Sequence, residues 1–250
     1  MWTLRDLYLT DLSKTAGAAH SYDKQLLLNR LGDGRIKFAG DPPWELQAEV
    51  LAEVYRFRVE ARARGDRPGS AEVGRVRTLA QHALIRRWEE DLGSPTAGHA
   101  IVEAIRPHLS RWIKRSHGTL TFRLTQVLTG HDCFGKYLHK IVRREITPAC
   151  HACGAPVDTA CHTLMECAAW GPKRHSLVAI IGGELSLPNV ITAMIGSERC
   201  WNEMASFCES VMSQKEATER AREESAAADS LRRRRPGRRQ QRYAQLLLQL

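Results

Sequence analysis

Four residues of this chain have types and spacings suited to holding a metal ion: Cys150, Cys153, His162 and Cys167, in the run CHACGAPVDTACHTLMEC. Cys150 and Cys153 stand at the interval that lets two thiolates of one tight turn reach the same ion, and Gly154 and Pro156 supply the bend. His162 and Cys167 lie five positions apart, and a helix across 161 to 169 is expected to bring them to one side of a tetrahedron. Three thiolates with one imidazole in closed coordination suit zinc, without redox activity. A closed site leaves no position for a metal-bound water, so its expected role is structural rather than hydrolytic. Two neighbours, Cys161 and His151, could replace an assigned ligand. The bland alternative, four unrelated core residues, fits poorly with a stretch so short of large apolar side chains.

Other reactive side chains form no comparable group. His108, His117, His131 and His139 have no evident Ser or Cys partner and read as surface or capping residues, so no catalytic residue is assigned. Cys133, Cys200 and Cys208 sit inside apolar patterns and read as core thiols. Seven cysteines is an odd number, and four of them are crowded into one short run, which favours a reduced, intracellular protein over a disulfide framework. No apolar run approaches the roughly 20 residues of a membrane-spanning helix.

The formal charge of +9 is unevenly spread. Between Ala104 and Arg144 nine Lys or Arg face one acid, Asp132, and Leu231 to Tyr243 carries seven Arg and no acid. Such runs suit a phosphate backbone, whose neutralisation releases counterions. The candidate nucleic-acid contacts are Arg123, Lys136, Lys140, Arg143 and Arg144 before the cysteine cluster, Lys173 and Arg174 after it, and Arg232, Arg233, Arg234 and Arg235 in the tail. The tail arginines read equally as a nuclear-import signal, an RNA arm or solvated charge. Trp170 and His151 are candidates to stack on an unpaired base, and for Trp170 packing under the metal loop is at least as good a reading.

Apolar residues recur at intervals of three and four almost throughout, which predicts a mainly all-α protein. Residues 1–43 form a poorly defined lead-in and 44–146 a helical region that is basic from 104. The metal loop occupies 147–170, a further helical region 171–214, and a charged, arginine-rich tail 215–250. A helix from Trp44 places Leu46, Val50, Leu51 and Val54 on one face, and a second, capped by Ser70, carries Val73, Val76, Ala80, Ala83, Leu84 and Trp88. These two suggest a hairpin. A block from Ser94 to Trp112 bends at Pro107. Two amphipathic helices follow, marked by Leu120, Leu124, Val127 and Leu128, then by Phe134, Tyr137, Leu138, Ile141 and Val142. A long helix from Ser197 faces Trp201, Met204, Cys208, Val211 and Met212 one way. It turns polar at Lys215 to Glu224, where it is expected to leave the globule.

The run GTLTFRLTQVLTGHDCFGKYLHKI (118–141), the Cys/His cluster, and ELSLPNVITAMIGSERCWNEMASFCESVMSQKE after it resemble the carboxy-terminal region of insect non-LTR retrotransposon Pol polyproteins. The similarity is strongest to the type-one kind that inserts into ribosomal RNA genes. It covers about residues 80 to 240 and includes RRWEEDLGSPTAGHAIVEAIRPHLSRW, which in this family joins the polymerase thumb to the tail. The resemblance implies a fragment of a reverse transcriptase and endonuclease polyprotein whose Cys-Cys-His-Cys zinc knuckle lies here. The polymerase site needs paired aspartates for its Mg²⁺ ions, and no Asp-Asp pair occurs in this chain, so magnesium chemistry belongs to upstream domains. A related lineage carries a nuclease with a Pro-Asp motif after its knuckle. Here Pro172, Lys173 and Arg174 follow instead, which leaves a nuclease in its own right as the least favoured alternative. The expected partners are element RNA, target ribosomal DNA and the rest of the polyprotein, without membrane, and the expected workplace is the nucleus. From a different class comes a zinc-stabilised module that binds protein partners without touching nucleic acid.

Overall fold

A computed structural model describes residues 42–95 and 98–225. The lead-in before Pro42 and the tail arginines Arg232, Arg233, Arg234 and Arg235 lie outside the described residues. The chain divides into two compact units, one up to Phe122 and one from Arg123. Every described regular element is helical, as the periodicity predicts, and no described helix is long and apolar enough to cross a membrane.

In the first unit, helix α1 (Trp44–Ala63) and helix α2 (Ser70–Asp91) form the expected hairpin. Arg87 on α2 reaches Glu49 on α1 at 2.8 Å, so the start of one helix lies beside the end of the other. Leu46, Val50, Val54 and Ala61 are buried on α1, with Leu84 and Trp88 on α2. Leu51, expected on the same face, is 63% exposed: it stands one residue past Val50, about 100° around the helix. Ser70 does not cap α2. Gly69 is the N-cap, and its backbone N–H donates to Glu72 Oε2 at 3.0 Å. Helix α3 (His99–Ile105) runs into a 3₁₀ turn (Arg106–His108) and then helix α4 (Leu109–Lys114). Pro107 therefore tightens the helix for one turn rather than ending it, and Ile101, Val102, Ile105, Leu109 and Trp112 stay buried on either side.

The second unit opens with helix α5 (Phe122–Thr129) and the short helix α6 (Gly135–Tyr137), which widens at once into a π turn (Leu138–Val142). After the metal loop come helix α7 (Gly171–Ile181), helix α8 (Leu187–Gly196) and helix α9 (Glu198–Glu224). Helix α9, about 40 Å long at 1.5 Å per residue, packs against α7 and α8. Its N-cap is Ser197, whose side chain accepts from the Cys200 N–H. Trp201, Met204, Phe207, Cys208, Val211 and Met212 form its buried stripe, against a core that includes Leu177, Val190, Ile191 and Met194.

One expectation about α9 is overturned. The helix does not leave the globule where it turns polar. Lys215 continues the three-and-four stripe and is buried, and Glu216, Glu219, Arg222 and Glu223 are all part-buried. The physical reason is that this face meets opposite charges, which make burial of its polar residues tolerable. Lys215 pairs with Asp158, Glu216 with Arg123, Arg222 with Glu145 and Glu223 with Arg144. A pattern search that looks only for apolar residues stops at Met212; the packed face does not.

Candidate metal centre and its basic flanks

The metal loop is built on backbone hydrogen bonds. Cys150 N–H donates to Ala155 O and Gly154 N–H to Cys150 O, both at 2.8 Å, folding the first two thiols into one turn. Gly154 sits at φ +79°, a left-handed conformation open to glycine at little cost. On the other side, Thr159 Oγ1 accepts from His162 N–H at 2.9 Å and starts a π turn (His162–Glu166). In an ordinary α-helix, residues five apart are offset by roughly 140°. The wider π turn removes most of that offset, and Cys167 N–H donates to His162 O at 2.8 Å. The chain leaves the turn at Cys167, whose ψ is 117°. The expected helix across 161 to 169 is thus a π turn followed by a 3₁₀ turn (Ala168–Trp170), and it is the extra residue in the turn that aligns the two ligands.

The ligand atoms of Cys150, Cys153, His162 and Cys167 all lie within 4.8 Å of one another and could hold a metal ion. Cys150 Sγ is 3.9 Å from Cys167 Sγ, and Cys153 Sγ is 3.2 Å from His162 Nε2. A tetrahedron with zinc–sulfur bonds near 2.3 Å has edges of about 3.8 Å, so the spacing fits. The donor chemistry fits as well. Burial pushes the Cys167 thiol up to about 12 and raises Cys150, whereas the Ala155 backbone hydrogen bond brings the exposed Cys153 down to about 7. Two neighbouring buried thiols resist ionising together, and a divalent cation between them removes that resistance. His162 turns Nε2 into the cluster while Nδ1 faces Glu166 Oε2 at 3.4 Å, a partner that fixes the ring. The two alternative ligands lie elsewhere: Cys161 is exposed beside Met165 Sδ at 3.5 Å, and His151 Nε2 faces Glu145 Oε1 at 3.3 Å.

Residues without a motif secure the loop to its unit. Asp158 is buried, and its Oδ2 lies 2.7 Å from Lys215 Nζ and 3.0 Å from Gly135 N–H. Its backbone carbonyl accepts from Lys136 N–H at 2.9 Å. Asp158 thus satisfies the start of α6 and anchors the loop to α9 at the same time. Gly135 must be glycine, because a Cβ there would lie 2.5 Å from Ala149 O and 2.7 Å from Pro148 O. Arg174 donates to the backbone carbonyls of Leu164 (2.7 Å), Thr163 (3.1 Å) and Cys167 (2.7 Å), clamping the far side of the loop. Sequence reading missed Asp158, Lys215, Glu145 and Arg222. The available signal was the aspartate between the two halves of the cysteine run and a lysine at the next step of the α9 stripe.

The basic residues expected to touch nucleic acid separate into two groups. Arg123 is held by Glu209 and Glu216, Arg144 by Glu223, and Lys173 donates to Ser210 Oγ at 2.6 Å. With Arg174 clamped on carbonyls, these four are engaged inside the unit. Lys136, Lys140 and Arg143 are exposed and form no ion pair with a described residue. Arg143 closes the π turn in the left-handed region, at φ +57°. Ile141 and Val142, expected on the buried face, are 68% and 37% exposed, because the π turn rotates them away from the side that Leu138 buries. Trp170 is buried at 8% exposure with Lys173 Nζ 5.9 Å from its ring, so it packs in the unit and is not open to a base.

No family model and no solved structure matches the chain. A curated relative does: the chain is 31% identical over 124 residues to a retrovirus-related Pol polyprotein from a type-1 retrotransposable element of Nasonia vitripennis. The match takes in 49% of this chain and spans 30% of that polyprotein. Together with the helical frame and a Cys-Cys-His-Cys cluster able to hold a metal ion, this similarity supports the chain's being a fragment of a Pol polyprotein of the type-1 retrotransposable kind.

Proposed function

We propose that this segment is a zinc-knuckle nucleic-acid-binding part of a retrotransposon Pol polyprotein, one that helps hold template RNA or target DNA during target-primed reverse transcription. The observation that carries the reading is the exposed triplet Lys136, Lys140 and Arg143, which begins beside the backbone of the metal loop and has no described carboxylate to neutralise it. In this reading zinc fills the cluster and keeps the loop rigid, and the cations bind phosphates and set register without reading sequence. Strand transfer and nicking would fall to upstream domains with their own Mg²⁺, and the work would be nuclear, where ribosomal DNA lies.

A second reading rests on Arg174 and on the Asp158–Lys215 pair, which tie the loop so firmly to α7 and α9 that it could act as a brace, its partner being the rest of the polyprotein. A gel-shift titration of the full chain against RNA and DNA separates the two. Changing Lys136, Lys140 and Arg143 together to Ala is expected to leave the protein folded and to lower the salt dependence of RNA binding by about 2 in log–log slope, at roughly 0.7 per phosphate contact. An unchanged slope would leave only the brace.

A further inference from the structure

We propose that the turn of the α1–α2 hairpin is a nucleic-acid backbone site in its own right, with Arg58, Arg62, Arg67 and Arg77 as the phosphate-binding residues. The four converge from the end of α1, the loop and the start of α2 onto one cleft of about 870 Å³. All four are exposed, and none forms an ion pair or hydrogen bond with a described residue. Other arginines of the hairpin do meet carboxylates: Arg56 with Glu53, Arg64 with Asp66, Arg87 with Glu49. Asp66 is the cleft's single acid, and Arg64 already lies 3.5 Å from it. A cleft that gathers one sign of charge from three segments raises the local concentration of anions. The planar guanidinium fork matches two phosphate oxygens at once.

A second observation points to a ligand. Gly74 lines the same cleft from inside α2, where glycine disfavours the helix, yet a Cβ there would meet nothing within 4 Å. Among the described residues nothing accounts for glycine at that position. A strand lying against the helix backbone does, because close approach is what a missing side chain permits. A repeating phosphodiester fits several arginines spread along a cleft better than a single small anion would. The inference stands apart from the knuckle reading and survives its failure.

The test uses the full chain and a fluorescein-labelled 20-nucleotide RNA, with DNA of the same sequence as a second arm, followed by anisotropy across a salt series. Changing the four arginines to Ala is expected to weaken binding at least about tenfold at low salt and to lower the log–log slope by about 3, with helical content unchanged. Gly74→Ala is expected to raise the melting temperature while weakening binding, a split that a purely structural glycine would not give. Unchanged affinity and slope in the four-arginine variant would overturn the proposal. So would polyglutamate of the same charge competing as well as the RNA, since the cleft would then be a general anion surface. Cys153→Ser run in parallel reports on the knuckle alone, so loss there with the hairpin contribution intact sinks only the other reading.

Discussion

Two arginine-rich regions of this chain look alike as sequence and differ as structure. Beside the metal loop, Arg123, Arg144 and Arg174 are engaged by carboxylates of α9 or by carbonyls of the loop itself. At the hairpin turn, Arg58, Arg62, Arg67 and Arg77 meet no described acceptor. A basic residue is available to a ligand only where the fold brings no acid to it, and α9 carries Glu209, Glu216 and Glu223 to the first region from some 80 to 90 positions away. Charge counted along a chain says where a polyanion could bind, whereas paired charge says where the fold has already used it.

The largest effect is expected from breaking the engaged side. Lys215→Ala leaves the Asp158 carboxylate buried without its cation, and uncompensated buried charge of this kind costs about 3–5 kcal/mol. Urea unfolding followed by circular dichroism should show it. A loss under about 1 kcal/mol would mean that the loop is not anchored through this pair. Next, Arg174→Ala removes three hydrogen bonds from a charged donor and is expected to lower stability by up to about 3 kcal/mol, while the salt slope of nucleic-acid binding stays as it was. A fall in that slope would move Arg174 from the engaged group to the available one.

Asp132 sharpens the same contrast from the acid side. Burial, with the nearby Glu216 charge adding to it, pushes its carboxyl up to about 6, and Gln126 Nε2 donates to it. The folded state therefore holds this proton more tightly than the unfolded chain does. Stability should fall as pH rises from about 4 to about 6 and stay lower above that. Asp132→Asn is expected to remove that slope and to raise stability at pH 7 on the order of 2 kcal/mol, since asparagine tolerates the left-handed backbone at φ +82°. Thermal melts of both proteins across this range decide it, and parallel curves would show the carboxyl to be ordinary. The smallest effect belongs to the hairpin: Gly74→Ala should stabilise by about 1 kcal/mol, and a loss of stability instead would mean that the glycine serves packing.

The helical class, the hairpin and the four metal-cluster residues were legible in the residues because each rests on local chemistry. A three-and-four apolar rhythm, a Gly-Asp-Arg-Pro-Gly loop and a Cys-x-x-Cys turn act within a few positions of themselves. The alignment of His162 with Cys167 was only half legible, since an ordinary helix would have separated them and the π turn that joins them has no distinctive composition. What the tertiary structure alone decided was the fate of the polar residues. Whether the end of α9 ran free or lay packed, whether Trp170 faced a base or a core, and which arginines stayed open depended on partners tens of residues away. Burying a charge is tolerated only when an opposite charge or a full set of acceptors arrives with it, and that arrival is a property of the assembled fold, not of any stretch of chain.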